Sequence, residues 1–183
     1  LNLAVKLQSP KILIKNSEII LSKLDLFLSL RSFFTSDFLL KRAEIAFIKN
    51  DIKDLTKITN IFLPKIINKQ LNKIFDKGSL EGEFSIPFES NGSIGKDYGF
   101  SGKILGASIN LTKEFSIKEL TTDINYVKDV DGFKITIKKG SVYNLELADS
   151  VINLRRKKNE TKVEALLRTK GKINFSQINK ISA

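Results

Sequence analysis

The four consecutive cations Arg155, Arg156, Lys157 and Lys158, and the closely spaced acids Asp123, Asp129 and Asp131, come nearest in type and spacing to a chemical site. A run of cations suits phosphates, whether of lipid headgroups or of nucleic acid. At the end of a hairpin the same run deters edge-to-edge strand pairing. Nucleic acid is not the expected partner: single strands are held by exposed rings interleaved with cations, and the 13 phenylalanines fall mostly in apolar patterns. The aspartates lack the spacing and terminal glutamate of a calcium loop and read as strand-edge and turn residues. Gly92-Ser93-Ile94-Gly95-Lys96 is superficially like a phosphate loop. However, the Walker spacing is missing, Asp97 stands where Ser or Thr belongs, and a strand rather than a helix follows. There is no histidine and no cysteine, which removes the commonest general base, the commonest metal ligand and every disulfide. No Gly-x-Ser-x-Gly elbow replaces them. The expectation is a chain that is not an enzyme and takes no cofactor or metal.

What the sequence does supply is apolar alternation. Over 80–88, 98–111, 117–127, 133–137, 142–154 and 162–170, apolar side chains recur at every second residue, the period of a strand with one apolar face. Short connections at Asn91-Gly92, Asp131-Gly132, Lys139-Gly140 and 158–160 make these an antiparallel meander over 78–171. Gly99, Gly102 and Gly106 within one strand predict bends and a curved sheet.

Residues 1–50 add N-terminal strands. Leu1, Leu3, Val5 and Leu7 alternate until Pro10 stops them, and a second segment covers Lys11 to Lys15. A third runs from Glu18 to Leu30, where the phase shift from Ile19 and Leu21 to Leu24, Leu26 and Leu28 predicts a bulge near Ser22-Lys23. Residues 31–37 break the pattern and 38–48 resume it. From Asp54 the period becomes helical: Leu55, Ile58 and Phe62, then Ile67, Leu71, Ile74 and Phe75, with Asp54 as N-cap, a kink at Pro64 and Gly78 as C-cap. A kinked helix pair over 54–76 is therefore expected, and a further helix, cut by the chain end, over 173–183.

The fold class is mainly β (α+β): a long antiparallel meander forming a curved open sheet or groove with the helix pair inserted. At 183 residues and 42% hydrophobic this is one β-rich segment, and the start at Leu1 with no methionine suggests a piece of a longer protein. The net charge of +11 favours anionic partners, although Lys is also the ordinary solvated residue. No apolar run is long enough to span a bilayer. About twenty helical residues cover a strip about 30 Å by 10 Å, whereas nine or ten strands at about 4.8 Å make a sheet over 40 Å wide. The sheet must close on itself, pack on a neighbour, or hold something apolar.

The segment from Ile20 to Asn50 resembles the AsmA-like family of Gram-negative envelope proteins. There a strand ending in Leu28-Ser29-Leu30 leads through a turn with two bulky residues, Phe33 and Phe34, to another strand and then to Asp54-Leu55. Lys77-Gly78-Ser79-Leu80-Glu81-Gly82 and Asp97-Tyr98-Gly99-Phe100-Ser101-Gly102 also suit that family's long strands. The family's N-terminal membrane helix has no counterpart in this stretch. The resemblance implies the periplasmic part of a protein anchored in the inner membrane, with a β groove like that of chorein-type lipid bridges. Its role would be phospholipid transport and outer-membrane biogenesis, with phospholipid acyl chains, flanking repeats of the same polypeptide and envelope proteins as partners. It would make Tyr98, Phe100, Ile124, Tyr126, Phe133, Ile135 and Ile137 the acyl-chain contacts. The competing expectation is a closed β-sandwich, structural or protein-binding, without lipid; a glycosidase accessory region with paired carboxylates is weaker, since spacing places no pair.

Overall fold

Each strand is antiparallel to its neighbours in the open, twelve-stranded sheet of the computed structural model. It describes residues 3–14, 17–29, 39–59, 75–95, 97–110, 116–143, 145–157 and 160–172. The strands are β1 (Leu3–Gln8), β2 (Lys11–Ile14), β3 (Ser17–Leu28), β4 (Leu40–Asp51), β5 (Phe75–Pro87), β6 (Gly99–Asn110) and β7 (Ser116–Val127). They continue as β8 (Gly132–Val142), β9 (Leu145–Leu147), β10 (Ser150–Lys157), β11 (Glu160–Leu166) and β12 (Thr169–Gly171). One helix, α1 (Ile52–Thr59), follows β4. β1 and β2 lie end to end along β3, and β9 and β10 along β8. β11 and β12 do the same along β10 and β9. The main path therefore runs β1-β3-β4-β5-β6-β7-β8-β10-β11, a meander with β1 and β11 as its outer strands.

The predicted bulge is present: the β3–β4 register slips between Leu21 and Lys23, where the apolar phase changes. Matching slips occur at Phe47/Asn50 in β4, Ile104/Ala107 in β6 and Lys118/Thr121 in β7. Bulges bend a strand and increase its twist. Of the three β6 glycines, Gly99 and Gly102 stay in register, and only Gly106, with φ 58°, lies in a slip. At the bulge of β4 the Asn50 side chain serves as a surrogate backbone. Its Oδ1 accepts the Ile20 N–H at 2.8 Å and its Nδ2 donates to the Ile20 carbonyl at 2.9 Å.

Three expectations need correction. The kinked helix pair over 54–76 is replaced, among the described residues, by the single eight-residue α1. Asp51 rather than Asp54 caps it, accepting the Lys53 N–H at 2.7 Å. Residues 60–74 lie outside the described residues, but Phe75 and Asp76 open β5, so Gly78 is no helix cap. It sits in that strand at φ 138°, where a Cβ would come within 2.7 Å of Ala107 Cβ. Register slips on both sides of Lys77 had hidden the strand period there. The turn at Lys139-Gly140 is also displaced: β8 continues to Val142, Gly140 pairs with Leu147, and the chain turns at Tyr143, φ 52°. Finally, the strand expected over 142–154 is two, β9 and β10, interrupted at Asp149, φ 48°. The helix expected over 173–183 and the turn over 31–37 lie outside the described residues.

The core is one-sided. Ile52 of α1 packs with Ile104, Ala107, Leu120, Ile137, Val142 and Leu147, and Leu55 with Ile19, Leu21 and Phe47. α1 thus seals one end of the apolar face. Buried polar groups there are satisfied: Thr122 Oγ1 donates to the Thr136 carbonyl at 3.0 Å, and Ser150 Oγ accepts the Arg168 N–H at 2.8 Å.

Candidate functional site

Away from α1 the same face carries a continuous apolar row. Register places Leu7 against Leu24, Leu24 against Ile45, Ile45 against Phe84, and Phe84 against Phe100. One step from the Ser101–Asn125 pair comes Tyr126, which faces Phe133; Phe133 then faces Leu154, and Leu154 faces Val163. Every position of the main path contributes one apolar side chain. A single-residue slip would turn each to the opposite face, so the register itself builds the row.

The aromatic members touch in sequence. Ring centroids lie 5.9 Å apart for Phe47–Phe84, 4.5 Å for Phe84–Phe100, 6.4 Å for Phe100–Phe133, 5.5 Å for Phe133–Tyr126 and 4.4 Å for Tyr126–Tyr98. These are the separations of favourable offset and edge-on ring pairs. The rings remain accessible: Phe84 is 37% exposed, and Phe100, Tyr126 and Phe133 are half-buried. Toward the outer strands Leu7 is 42% and Val163 59% exposed. Beside the row, Phe47, Gly82, Gly102, Ile124, Ile135 and Ile152 form a second register line. Its two glycines leave room that the Phe100 ring fills.

All seven residues named from the sequence lie on this face by strand alternation, and six are partly accessible. Ile137 is 3% exposed and belongs to the core near α1. The sequence reading missed Leu24, Ile45 and Phe84, whose alternation within their own strands was the available signal.

Beside Tyr126, at the ends of β6, β7 and β8, the face turns polar. The hydroxyls of Tyr126 and Tyr98 reach Asp131 Oδ1 at 2.9 and 3.4 Å, and Lys128 pairs with Asp97 at 2.8 Å. The neighbouring Tyr98 hydroxyl, partial burial and the Asp131 carboxylate hold the Tyr126 proton on well above the ordinary phenol range. Tyr126 therefore acts as a donor.

The opposite face is charged. Lys23 bridges Glu44 at 2.9 Å and Asp25 at 3.1 Å, and Lys138 pairs with Asp123 at 3.6 Å. Two adjacent hollows of about 530 Å³ each open there, lined by groups including Lys23, Glu44, Glu83, Ser101 and Asn125. Asp123 on this face is not brought to Asp129 and Asp131, which sit in and beside the 3-10 turn Lys128–Val130. Among the described residues no group of acids is placed to hold a metal ion. Ser93 and Lys96 do have the Ser-x-x-Lys spacing; Ser93 Oγ donates to Asn91 Oδ1 at 2.7 Å in an exposed turn, and Lys96 lies outside the described residues. Arg155, first of the basic run, pairs with Glu164 at 3.5 Å across the β10–β11 hairpin.

Among the described residues no helix is long and apolar enough to cross a membrane. No protein-family model, curated protein or solved structure matches the chain.

Proposed function

We propose that the open apolar face accommodates lipid acyl chains and that the chain is a non-enzymatic segment of an AsmA-like envelope protein. The observation that carries the reading is the register-built row from Leu7 to Val163, which crosses the sheet while α1 caps only one end of its face. Eight intervals of about 4.8 Å make that floor about 38 Å wide. Each methylene fully buried on it contributes about 0.8 kcal/mol. Phenylalanine and leucine offer hydrocarbon nothing directional, so such a floor suits a cargo that slides as well as one that stays. In this reading the segment belongs to the periplasmic part of an inner-membrane-anchored protein. Flanking repeats of the same polypeptide extend its groove, phospholipids move along it between the membranes, and other envelope proteins receive them. Nucleic acid has no part in it.

Binding of a fluorescent acyl probe tests this. Phe84→Asp with Phe133→Asp should weaken binding by at least about tenfold, the cost of placing charge on the floor, while circular dichroism stays that of the wild type. If the face is instead the inside of a closed sandwich, the wild type will not bind the probe and the two charges will unfold the chain.

A further inference from the structure

The polar cluster beside Tyr126 is built around one carboxylate. Asp131 sits at φ 42°, ψ 61°, just after the 3-10 turn, with its N–H donating to the Lys128 carbonyl at 3.1 Å. Two phenol hydroxyls converge on its Oδ1, and their rings are stacked at 4.4 Å. Lys128, three residues before Asp131, is engaged by Asp97, and among the described residues no cation pairs with Asp131. In a chain with eleven more cations than anions, an exposed carboxylate on which two phenol oxygens converge, with no basic partner among the described residues, points to a cation supplied from outside.

We propose that Tyr98, Tyr126 and Asp131 receive the ammonium group of a zwitterionic amphiphile whose chains lie on the aromatic row. An ammonium is drawn to the carboxylate by charge and can donate to the lone pairs of the two phenol oxygens gathered there. Tyr126, which touches Phe133 on one side and Tyr98 on the other, places that group at the point where hydrocarbon floor gives way to polar rim. The inference rests on the lipid reading above and adds a headgroup preference to it.

The experiment offers the 183-residue chain an equimolar mixture of phosphatidylethanolamine and phosphatidylglycerol with identical chains, in mild detergent, and quantifies the lipid retained. Wild type should retain phosphatidylethanolamine in about two- to fivefold excess, the size expected of one exposed carboxylate contact to a cation. Asp131→Asn, which keeps the left-handed backbone accessible, should bring the ratio to about one with total lipid unchanged. Tyr126→Phe keeps the ring and should reduce the excess in part. Equal retention by the wild type, or an excess that survives Asp131→Asn, overturns the headgroup assignment and leaves the acyl reading standing. No retention of either lipid overturns both. A parallel titration with ethanolamine alone separates the sources of the amine: Asp131-dependent binding of ethanolamine without any lipid preference assigns the site to a free amine and overturns the amphiphile.

Discussion

The Phe100 ring lies over Gly102, two residues along its own strand, so closely that a Cβ on Gly102 would stand 2.6 Å from Phe100 Cζ. The neighbouring Gly82, paired with Gly102, would bring its Cβ within 3.3 Å of the same ring. An aromatic ring laid across glycines in a sheet restores the contacts that the missing side chains forgo. Gly102→Ala should therefore displace the ring and cost about 1–3 kcal/mol in denaturant unfolding. Gly99→Ala, where the nearest atom is Ser85 Cβ at 3.8 Å, should stay within about 0.5 kcal/mol of wild type. Equal effects would mean that Phe100 does not occupy that space.

Asn50, at the Phe47/Asn50 slip of the β4–β5 pairing, ties β4 to β3 through its side chain. Asn50→Ala removes the bonds to both backbone groups of Ile20, and the Ile48 carbonyl also loses its Asn50 Nδ2 donor at 2.6 Å. With the residue 5% exposed, water does not readily replace them, and the loss should be about 3 kcal/mol. Faster amide exchange at Ile20 would accompany it.

Ser150 is fully buried where β10 leaves β9, and its hydroxyl accepts the Arg168 N–H. Ser150→Ala orphans that donor and should cost about 1–3 kcal/mol. Hydrogen exchange should quicken at Arg168, which separates β11 from β12.

Stability should be flat with pH between about 6 and 9, because no histidine or cysteine titrates there. Lys77 holds Glu119, and Lys162 with Arg155 holds Glu164, below the ordinary carboxylate value. Those groups contribute stability above the unfolded value and lose it as the pH falls through the lowered one, below about 4. Glu44 and Asp25 raise Lys23, and Asp97 raises Lys128. Their contribution is complete below the unfolded lysine value and disappears as the pH climbs through the raised one, above about 10.5. Thermal unfolding across the range checks this, and a step near pH 6.5 would contradict it.

The sheet was legible in the sequence because its strands keep period two for long stretches, and the bulge at Ser22-Lys23 was legible because it shifts that period by one. Lys139-Gly140 misled because a glycine after a lysine has the chemistry of a turn, whereas here pairing with Leu147 keeps it in a strand. Phe75 misled because it stands at helical spacing from Leu71, and the slips around Lys77 break the alternation that would have marked β5. That Tyr98, Phe100, Ile124, Tyr126, Phe133 and Ile135 share one face was legible from alternation. Phe84, Ile45 and Leu24 were not joined to them, because alternation within a strand says nothing of which residues face each other across strands. The convergence of Tyr98 and Tyr126 on Asp131 depends on a left-handed residue after a 3-10 turn, which periodicity does not encode.

Photo-crosslinking at Phe84 tests the central claim most directly. With benzoylphenylalanine in place of Phe84, on the apolar face, irradiation in the presence of phospholipid should yield lipid adducts by mass spectrometry. The same probe at Glu83, one residue away on the charged face, should yield few. Absence of lipid adducts at Phe84, or equal yields at the two positions, would contradict the account.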